Sequence, residues 1–287
     1  MYPSNKKNIY VNAKKGLTTK KSKYGGYYSV ESKSQHIQYK YHKFALMKEN
    51  NKTIPFSDYS NLEKYSSKYY NLLNNIIKSR GKVFVSVSEI NTGLIPLSLI
   101  LEQNGYVRYT LPGELPYLIS EHKSPIRCYK CGKYVNDNIH KKDHKFVTAK
   151  YISVSSLNQN NISKIIKLFN DENNKEGENI KIIIATRILN EGIDLNCIRQ
   201  LHILEPWFNM SRMEQIIGRS IRFRSHHLLD LKERNTEIYC YTNVYGNKEE
   251  LLDLYVYRYA EQKDIKIKII ENLLKNNAVD CSLLKNI

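Results

Sequence analysis

Four potential metal ligands lie close together near the middle of the chain: Cys128, Cys131, His140 and His144. Their spacing, C-x2-C-x8-H-x3-H, forms two short pairs, and each pair can occupy two corners of the tetrahedron that Zn²⁺ prefers. Gly132 follows the second cysteine and leaves room for the backbone to bend around a metal-bound sulfur. The segment is lysine-rich and too polar to form its own core, so the spacing predicts a structural zinc with four protein ligands. Two exposed thiols and two solvated histidines in a loop are the alternative.

A second group of polar residues follows a β-branched run, in the stretch TRILNEGID at residues 186–194. Thr186 ends the run, and a turn then carries Glu191, Gly192 and Asp194. Ligands of open α/β sheets bind beyond the carboxyl ends of the strands. The stretch is therefore predicted to lie where a ligand would bind.

A third group, in the stretch QIIGRSIR at residues 215–222, has helical spacing. Gln215, Gly218, Arg219 and Arg222 stand at i, i+3, i+4 and i+7, which is one face of a helix. Two arginines beside a glycine, which allows another surface to approach closely, suit a phosphate-bearing transition state. Surface ion pairs between these arginines and carboxylates are the alternative, with three candidate partners: Glu191, Glu205 and Glu214.

The elements that would position these groups alternate along the chain. Apolar or β-branched runs typical of strands occur at 82–88, from 105, at 180–186, at 200–204 and at 237–242. Helical spacing occurs at 61–78, 93–103, 162–169, 211–223 and from 248. We expect Ser211 and Glu214 to form a capping box at the start of the fourth helix. Alternating strands and helices predict an α/β fold with a parallel sheet covered on both faces.

The charge of the chain is positive and uneven. The 287 residues carry a net charge of +17, and residues 1–55 contribute +10 of it through twelve lysines and two glutamates. Tyrosines interleave with these lysines, a pattern that suits stacking on bases and contact with phosphates. The sequence thus predicts a basic arm that binds nucleic acid, although an AT-rich genome would also raise the lysine content.

Composition excludes several other classes. Hydrophobic residues at 41% and charged residues at 25% are typical of a globular protein and not of a disordered one. No run approaches about 18 apolar residues, and the N-terminus has no apolar signal region. We therefore expect a soluble protein that is cytoplasmic and does not contact a membrane.

The motifs resemble those of one family. Q-x-x-G-R-x-x-R at 215–222 resembles motif VI of superfamily 2 helicases, T-x-x-x-x-E-G-I-D at 186–194 resembles motif V, and GKVFVS at 81–86 resembles motif IV. The flanking strings HILEPWFN and SRMEQIIGRSIRFRSH are similar to the poxvirus-type helicases and nucleoside triphosphatases of large cytoplasmic DNA viruses. The resemblance implies a second RecA-like domain at 61–245 with a zinc-binding insertion at about 120–150. The residues on either side of this domain are predicted to form a basic arm at 1–60 and a helical tail at 246–287.

The family's roles can be carried over residue by residue. Arg219 and Arg222 would be arginine fingers on the γ-phosphate of ATP, and Gln215 would position the attacking water or the phosphate. Asp194 and Gly192 would contact the nucleotide or the face between two lobes. The nucleic-acid backbone would be contacted by Ser86, Thr186, Arg187 and Gly192.

One half of such a motor is missing from the sequence. The phosphate loop that ends in Gly-Lys-Ser/Thr is absent, and Asp171-Glu172 lacks the strand-end context of a magnesium-binding acidic pair. ATP and Mg²⁺ would therefore bind only together with a separate or upstream ATP-binding RecA-like lobe. The sequence predicts the C-terminal lobe of a viral-type DNA or RNA helicase, placed in a viral factory or virion and inactive alone. A zinc-containing nucleic-acid-binding protein that keeps this fold without motor activity is the alternative.

Overall fold

A computed structural model describes most of the chain from residue 57 onwards. The described residues are 57–111, 117–118, 124–155, 161–186, 193–243 and 251–278, together with the backbone of five short strands between 17 and 53. The short strands are β1 (Leu17–Lys21), β2 (Tyr27–Ser32), β3 (His42–Phe44), β4 (Lys48–Glu49) and β5 (Lys52–Thr53). The first three pair antiparallel in the order β1-β2-β3. That residues 1–60 act as a nucleic-acid-binding arm stays a prediction.

A six-stranded sheet forms the centre of the molecule, and every described pairing in it is parallel. Its strands lie in the order β11-β10-β6-β9-β8-β7. They are β6 (Lys82–Ser86), β7 (Val107–Arg108), β8 (Lys150–Val154), β9 (Ile182–Ala185), β10 (Ile198–Ile203) and β11 (Glu237–Cys240). The predicted α/β fold is confirmed.

Helices cover both faces of this sheet. They are α1 (Tyr59–Tyr65), α2 (Ser67–Lys78), α3 (Ile95–Gln103), α5 (Ile162–Phe169), α6 (Met210–Ser220) and α7 (Leu252–Asn276), while the short helix α4 (Ile139–Lys142) lies in the segment of the predicted metal ligands. Side chains of a strand alternate between faces. Val83 and Val85 accordingly pack with α2 and α3, whereas Phe84 between them packs with α5 and α6.

Strand β8 is absent from the predicted elements, because no strand or helix was assigned between the run that begins at 105 and the helix at 162–169. Its sequence, KYISV, mixes polar and apolar residues and gives no continuous apolar run. Neighbouring strands nevertheless enclose it on both sides, and Tyr151 and Val154 are fully buried. Position in the sheet, rather than local pattern, makes this segment a central strand.

Two predicted helix ends differ in the structure. The helix expected over 61–78 is split at Ser66, whose extended backbone ends α1 and whose hydroxyl accepts a hydrogen bond from the Tyr69 N–H at the start of α2. The capping box at Ser211 is wrong, because α6 begins at Met210 after Asn209, and no side chain caps it. Helix α6 also ends at Ser220, so Arg222 lies beyond the helix and not on its face.

Among the described residues, no helix is both long and apolar enough to cross a membrane.

Candidate functional site

The predicted nucleic-acid contacts come from the carboxyl edge of the sheet. Ser86 ends β6 and Thr186 directly follows β9, and these two strands are neighbours. Thr186 is buried, and its N–H donates to the Val154 carbonyl at 3.1 Å, which fixes this residue at the end of the sheet. Arg187 and Gly192 were also predicted here, but they lie outside the described residues.

The two motif VI arginines converge on one carboxylate. Asp194 Oδ1 pairs with Nη1 of Arg222 and lies 3.9 Å from Nη1 of Arg219. The ion-pair alternative named Glu191, Glu205 and Glu214, yet within the described part of the chain the partner of both arginines is Asp194. Asp194 thus brings the two guanidinium groups together, and guanidinium groups are well suited to binding phosphate.

The backbone around Asp194 is fixed by an asparagine that sequence reasoning missed. The Asn170 side chain donates to the Asp194 carbonyl at 2.8 Å and accepts from the Asn196 N–H at 2.9 Å. The Leu195 N–H also donates to the Arg219 carbonyl at 2.9 Å. These bonds tie the end of motif V to the helix of motif VI. An asparagine at the end of α5 gives no signal in the sequence for such a role.

The face of α6 beside Arg219 is open. A Cβ atom added to Gly218 would meet nothing within 4 Å among the described residues, and Gln215 one turn earlier is exposed. Glycine inside a helix costs roughly 1 kcal/mol relative to alanine. No contact with a described residue explains that cost at Gly218, and the glycine leaves this face of the helix without a side chain.

The four predicted metal ligands also come together. Their ligand atoms all lie within 4.8 Å of one another, with Cys128 Sγ 3.3 Å from His144 Nε2 and Cys131 Sγ 4.0 Å from His140 Nδ1. Zinc–sulfur and zinc–nitrogen bonds of about 2.0–2.3 Å place tetrahedral ligands roughly 3.3–3.8 Å apart. The cluster therefore fits a zinc ion after small side-chain shifts.

The surroundings of the cluster favour metal binding. His140 Nε2 lies 2.8 Å from the Tyr134 carbonyl, which leaves Nδ1 for a metal, as is usual for ligating histidines. Burial raises the pKa of the Cys128 thiol, but backbone N–H groups around its sulfur lower it, and the net shift is downward. A lower pKa favours the thiolate form that binds zinc at Cys128, whereas burial raises the pKa of the Cys131 thiol.

The cluster is anchored to the sheet domain more firmly than its polar sequence predicted. Cys128 is fully buried, and Gly132, at a φ of +70°, lies so close to Ile77 that an added Cβ would be 2.3 Å from the Ile77 carbonyl oxygen. Arg127 donates to three acceptors: the carbonyls of Asn104 and Gly132 and the hydroxyl of Tyr134. Sequence reasoning missed Arg127 because a lone arginine beside a cysteine gives no sign of burial.

A buried lysine also holds the cluster's loop. The ammonium of Lys181 donates to the Ser79 carbonyl at 2.9 Å and to the Tyr129 carbonyl at 2.6 Å. Burial lowers its pKa to about 8. Lys181 thus joins α2, the Cys128–Cys131 loop and the start of β9.

Comparison with known proteins agrees with the motifs. Residues 115–224 match the family model of the helicase conserved C-terminal domain. The chain is 30% identical over 250 residues to a mimivirus protein (Acanthamoeba polyphaga mimivirus) described as an ATP-dependent RNA helicase, covering 78% of this chain and 21% of the relative. It is 32% identical over 234 residues to a protein of Invertebrate iridescent virus 3 described as a helicase, with the same coverage.

A third relative is described as a transcription factor subunit. The early transcription factor large subunit homologue of African swine fever virus is 27% identical over 235 residues, covering 79% of this chain and 20% of the relative. The chain thus spans about a fifth of the length of these relatives. The predicted resemblance to helicases of large DNA viruses is thus confirmed, with residues 115–224 matching the helicase conserved C-terminal domain.

Proposed function

We propose that this chain supplies the second RecA-like lobe of an ATP-dependent superfamily 2 helicase or nucleic-acid-dependent nucleoside triphosphatase. The observation that carries the proposal is the convergence of Arg219 and Arg222 on Asp194 at the carboxyl edge of a parallel sheet. Beside them, the open face at Gly218 leaves room for a second lobe.

In this function the two arginines stabilise charge that develops during phosphoryl transfer. An ATP molecule bound by the other lobe, with its Mg²⁺, brings its γ-phosphate to this edge, where the phosphate competes with Asp194 for the two guanidinium groups. Gln215 orients the attacking water or the phosphate, and Gly192 contacts the nucleotide. Asp194 holds the arginines ready until the nucleotide arrives.

The nucleic-acid strand runs along the same edge. Ser86, Thr186, Arg187 and Gly192 contact its backbone, and either DNA or RNA fits this contact chemistry. Support comes from the neighbouring positions of β6 and β9, which end in Ser86 and Ala185.

We also propose that Cys128, Cys131, His140 and His144 bind one structural zinc ion. The four-ligand set leaves no open coordination position, so the metal stabilises the fold of the insertion and takes no part in hydrolysis. The RNA-helicase and transcription-factor descriptions of the relatives favour work on nucleic acid in viral transcription, in the cytoplasm or virion of a large DNA virus.

The test combines this chain with the cognate ATP-binding lobe, whether that lobe is encoded upstream or separately. We expect no nucleic-acid-stimulated ATPase from the chain alone and clear turnover from the mixture. Arg222→Ala lowers the turnover of the mixture by about 10³-fold or more, the scale of an arginine finger. Arg258→Ala, an exposed arginine on α7, leaves the turnover unchanged.

The free energy of unfolding of Arg222→Ala, measured alongside its turnover, separates this role from a folding defect. Both partners of the Asp194–Arg222 pair are largely exposed, with 44% and 57% of their side-chain surface accessible, so its loss changes the free energy of unfolding by less than about 1 kcal/mol. Two results would falsify the two-lobe proposal: robust ATPase activity of the isolated chain, or a turnover of the mixture that Arg222→Ala does not change. The second outcome would favour the alternative, a zinc-containing nucleic-acid-binding protein without motor activity.

A further inference from the structure

A second charged surface lies at the edge of the sheet opposite the arginines. It is a cleft of about 760 Å³ between the Cys/His cluster and the residues that lead into β6, β9 and β10. One wall carries Tyr129, Lys130 and the cluster residues Cys131 and His144. We call it the basic cleft, and its remaining cationic side chains are Lys78, Arg80, Lys133, Lys175 and Arg199.

Positive charge dominates the lining of the basic cleft. Six lysine and arginine side chains face three carboxylates, those of Asp143, Glu176 and Glu233. Arg199 is paired with Glu233 at 3.9 Å and Lys133 with Asp137 at 3.8 Å. The other four cationic side chains make no hydrogen bond or ion pair with any residue that the structure describes, and all four are exposed: Lys78, Arg80, Lys130 and Lys175. Unpaired cations around a concave surface attract polyanions.

The cleft continues along the sheet edge. A smaller hollow of about 320 Å³ shares Lys78, Arg80 and Arg199 with it and adds the ring of Tyr239. The two parts of the path share three cations, each part has a tyrosine, and the smaller hollow also has one carboxylate, Glu237, which accepts a hydrogen bond from the Tyr239 hydroxyl. A groove of positive charge with aromatic rings is the usual form of a site for single-stranded nucleic acid.

We propose that the basic cleft binds the phosphodiester backbone of single-stranded nucleic acid. The four unpaired cations neutralise successive phosphates, while Tyr129 and Tyr239 supply surfaces on which bases can stack. An isolated phosphate would satisfy one or two of these cations, whereas a strand reaches all of them. DNA and RNA share this chemistry.

This site is separate from the track in the proposed function. Strand β6 runs from Lys82, two residues after Arg80, to Ser86, and its five residues at about 3.3 Å each separate the two edges by roughly 16 Å. Among the residues that line the basic cleft, Gly81 alone belongs to a motif, as the first residue of the motif IV stretch at 81–86, and it has no proposed contact with nucleotide or nucleic acid. A result against nucleic-acid binding at the basic cleft would therefore not count against the two-lobe motor. A result against the motor would likewise not count against the cleft.

The test is fluorescence anisotropy of labelled twelve-nucleotide strands, one of deoxythymidine and one of uridine, with the full chain and without ATP. The variant Arg80→Glu/Lys130→Glu reverses two unpaired charges of the basic cleft. The control Lys266→Glu/Lys275→Glu makes the same change in net charge on exposed positions of α7. We expect the cleft variant to weaken binding of both strands at least tenfold more than the control. We also expect it to reduce the slope of log affinity against log salt by about 1.4, since each lost single-strand phosphate contact contributes about 0.7.

Two results would overturn the proposal. One is equal binding by the cleft variant and the control, which would mean that only the total charge of the chain matters. The other is equal competition by a polyglutamate of matched charge, which would assign the cleft to an acidic protein segment. A loss confined to one of the two strands supports the proposal and identifies the sugar that is preferred. Unchanged melting temperatures of both variants ensure that folding does not explain the result.

Discussion

Arg127 is the residue whose replacement tests the anchoring of the Cys/His cluster most directly. Its side chain is 93% buried, since 7% of its surface is accessible, and its guanidinium lies 4.0 Å from the centre of the Tyr134 ring. Three hydrogen bonds of 2.6–2.7 Å run from it to Asn104, Gly132 and Tyr134. Arg127→Met keeps the apolar stem but removes every one of these donors.

The size of the effect follows from these contacts. A hydrogen bond from a charged donor contributes about 1.5–3 kcal/mol, so three give a gross loss of roughly 4–9 kcal/mol. Two effects offset part of this loss. Water can reach the acceptors that lose their donor, and the variant no longer has to bury a charged group. We therefore expect Arg127→Met to lower the free energy of unfolding by about 3–5 kcal/mol, which corresponds to about 6–20 °C in Tm for a domain of this size.

Urea unfolding followed by circular dichroism measures this change, and limited proteolysis locates it. Cleavage should increase first between residues 124 and 149, because the hydrogen bond to Gly132 holds the cysteine loop. Lys130→Met is the matched control: it removes the same charge from an exposed side chain of the same loop, and surface changes of this kind stay within about 0.5 kcal/mol. Equal stability of the two variants would refute the view that Arg127 anchors the cluster.

Three further outcomes are expected. Protein purified without chelator contains about one equivalent of zinc by elemental analysis, and Cys128→Ser loses it; metal-free wild type with an ordered insertion would contradict this. Deleting residues 1–50 weakens nucleic-acid binding and flattens its salt dependence, whereas an unchanged slope would mean that the lysines there reflect codon usage. Burial lowers the pKa of Lys82 to about 8 in the folded protein, below its value in the unfolded chain. Between these two pKa values the unfolded chain binds more protons than the folded protein, so the stability rises with pH. The stability of the wild type relative to Lys82→Met should accordingly increase from pH 7.5 to 9.5 in urea titrations, and a constant difference would show that Lys82 stays charged.

Local pattern was sufficient for the fold class and for most of the elements. Strands β6 and β9 contain short apolar runs, VFV and IIIA, and their burial on both faces follows from that composition. Strand β8 was not recognisable, because its KYISV sequence is buried only through its neighbours in the sheet. The start of α6 was misplaced and the break at Ser66 was missed, because near-equivalent polar residues compete as caps and tertiary contacts choose among them.

The sequence by itself determined the candidate chemistry. The spacing of the four metal ligands and of the motif V and VI residues is local, so each set could be recognised without coordinates. Only the tertiary structure decided which groups meet: Arg222 with Asp194, 28 residues earlier, and Lys181 with Tyr129, 52 residues earlier. It likewise decided that Arg127 is buried and that six cations line one cleft. The physical reason is that such contacts depend on how strands and helices pack across the chain, and the periodicity of a short segment carries no information about a partner so far away.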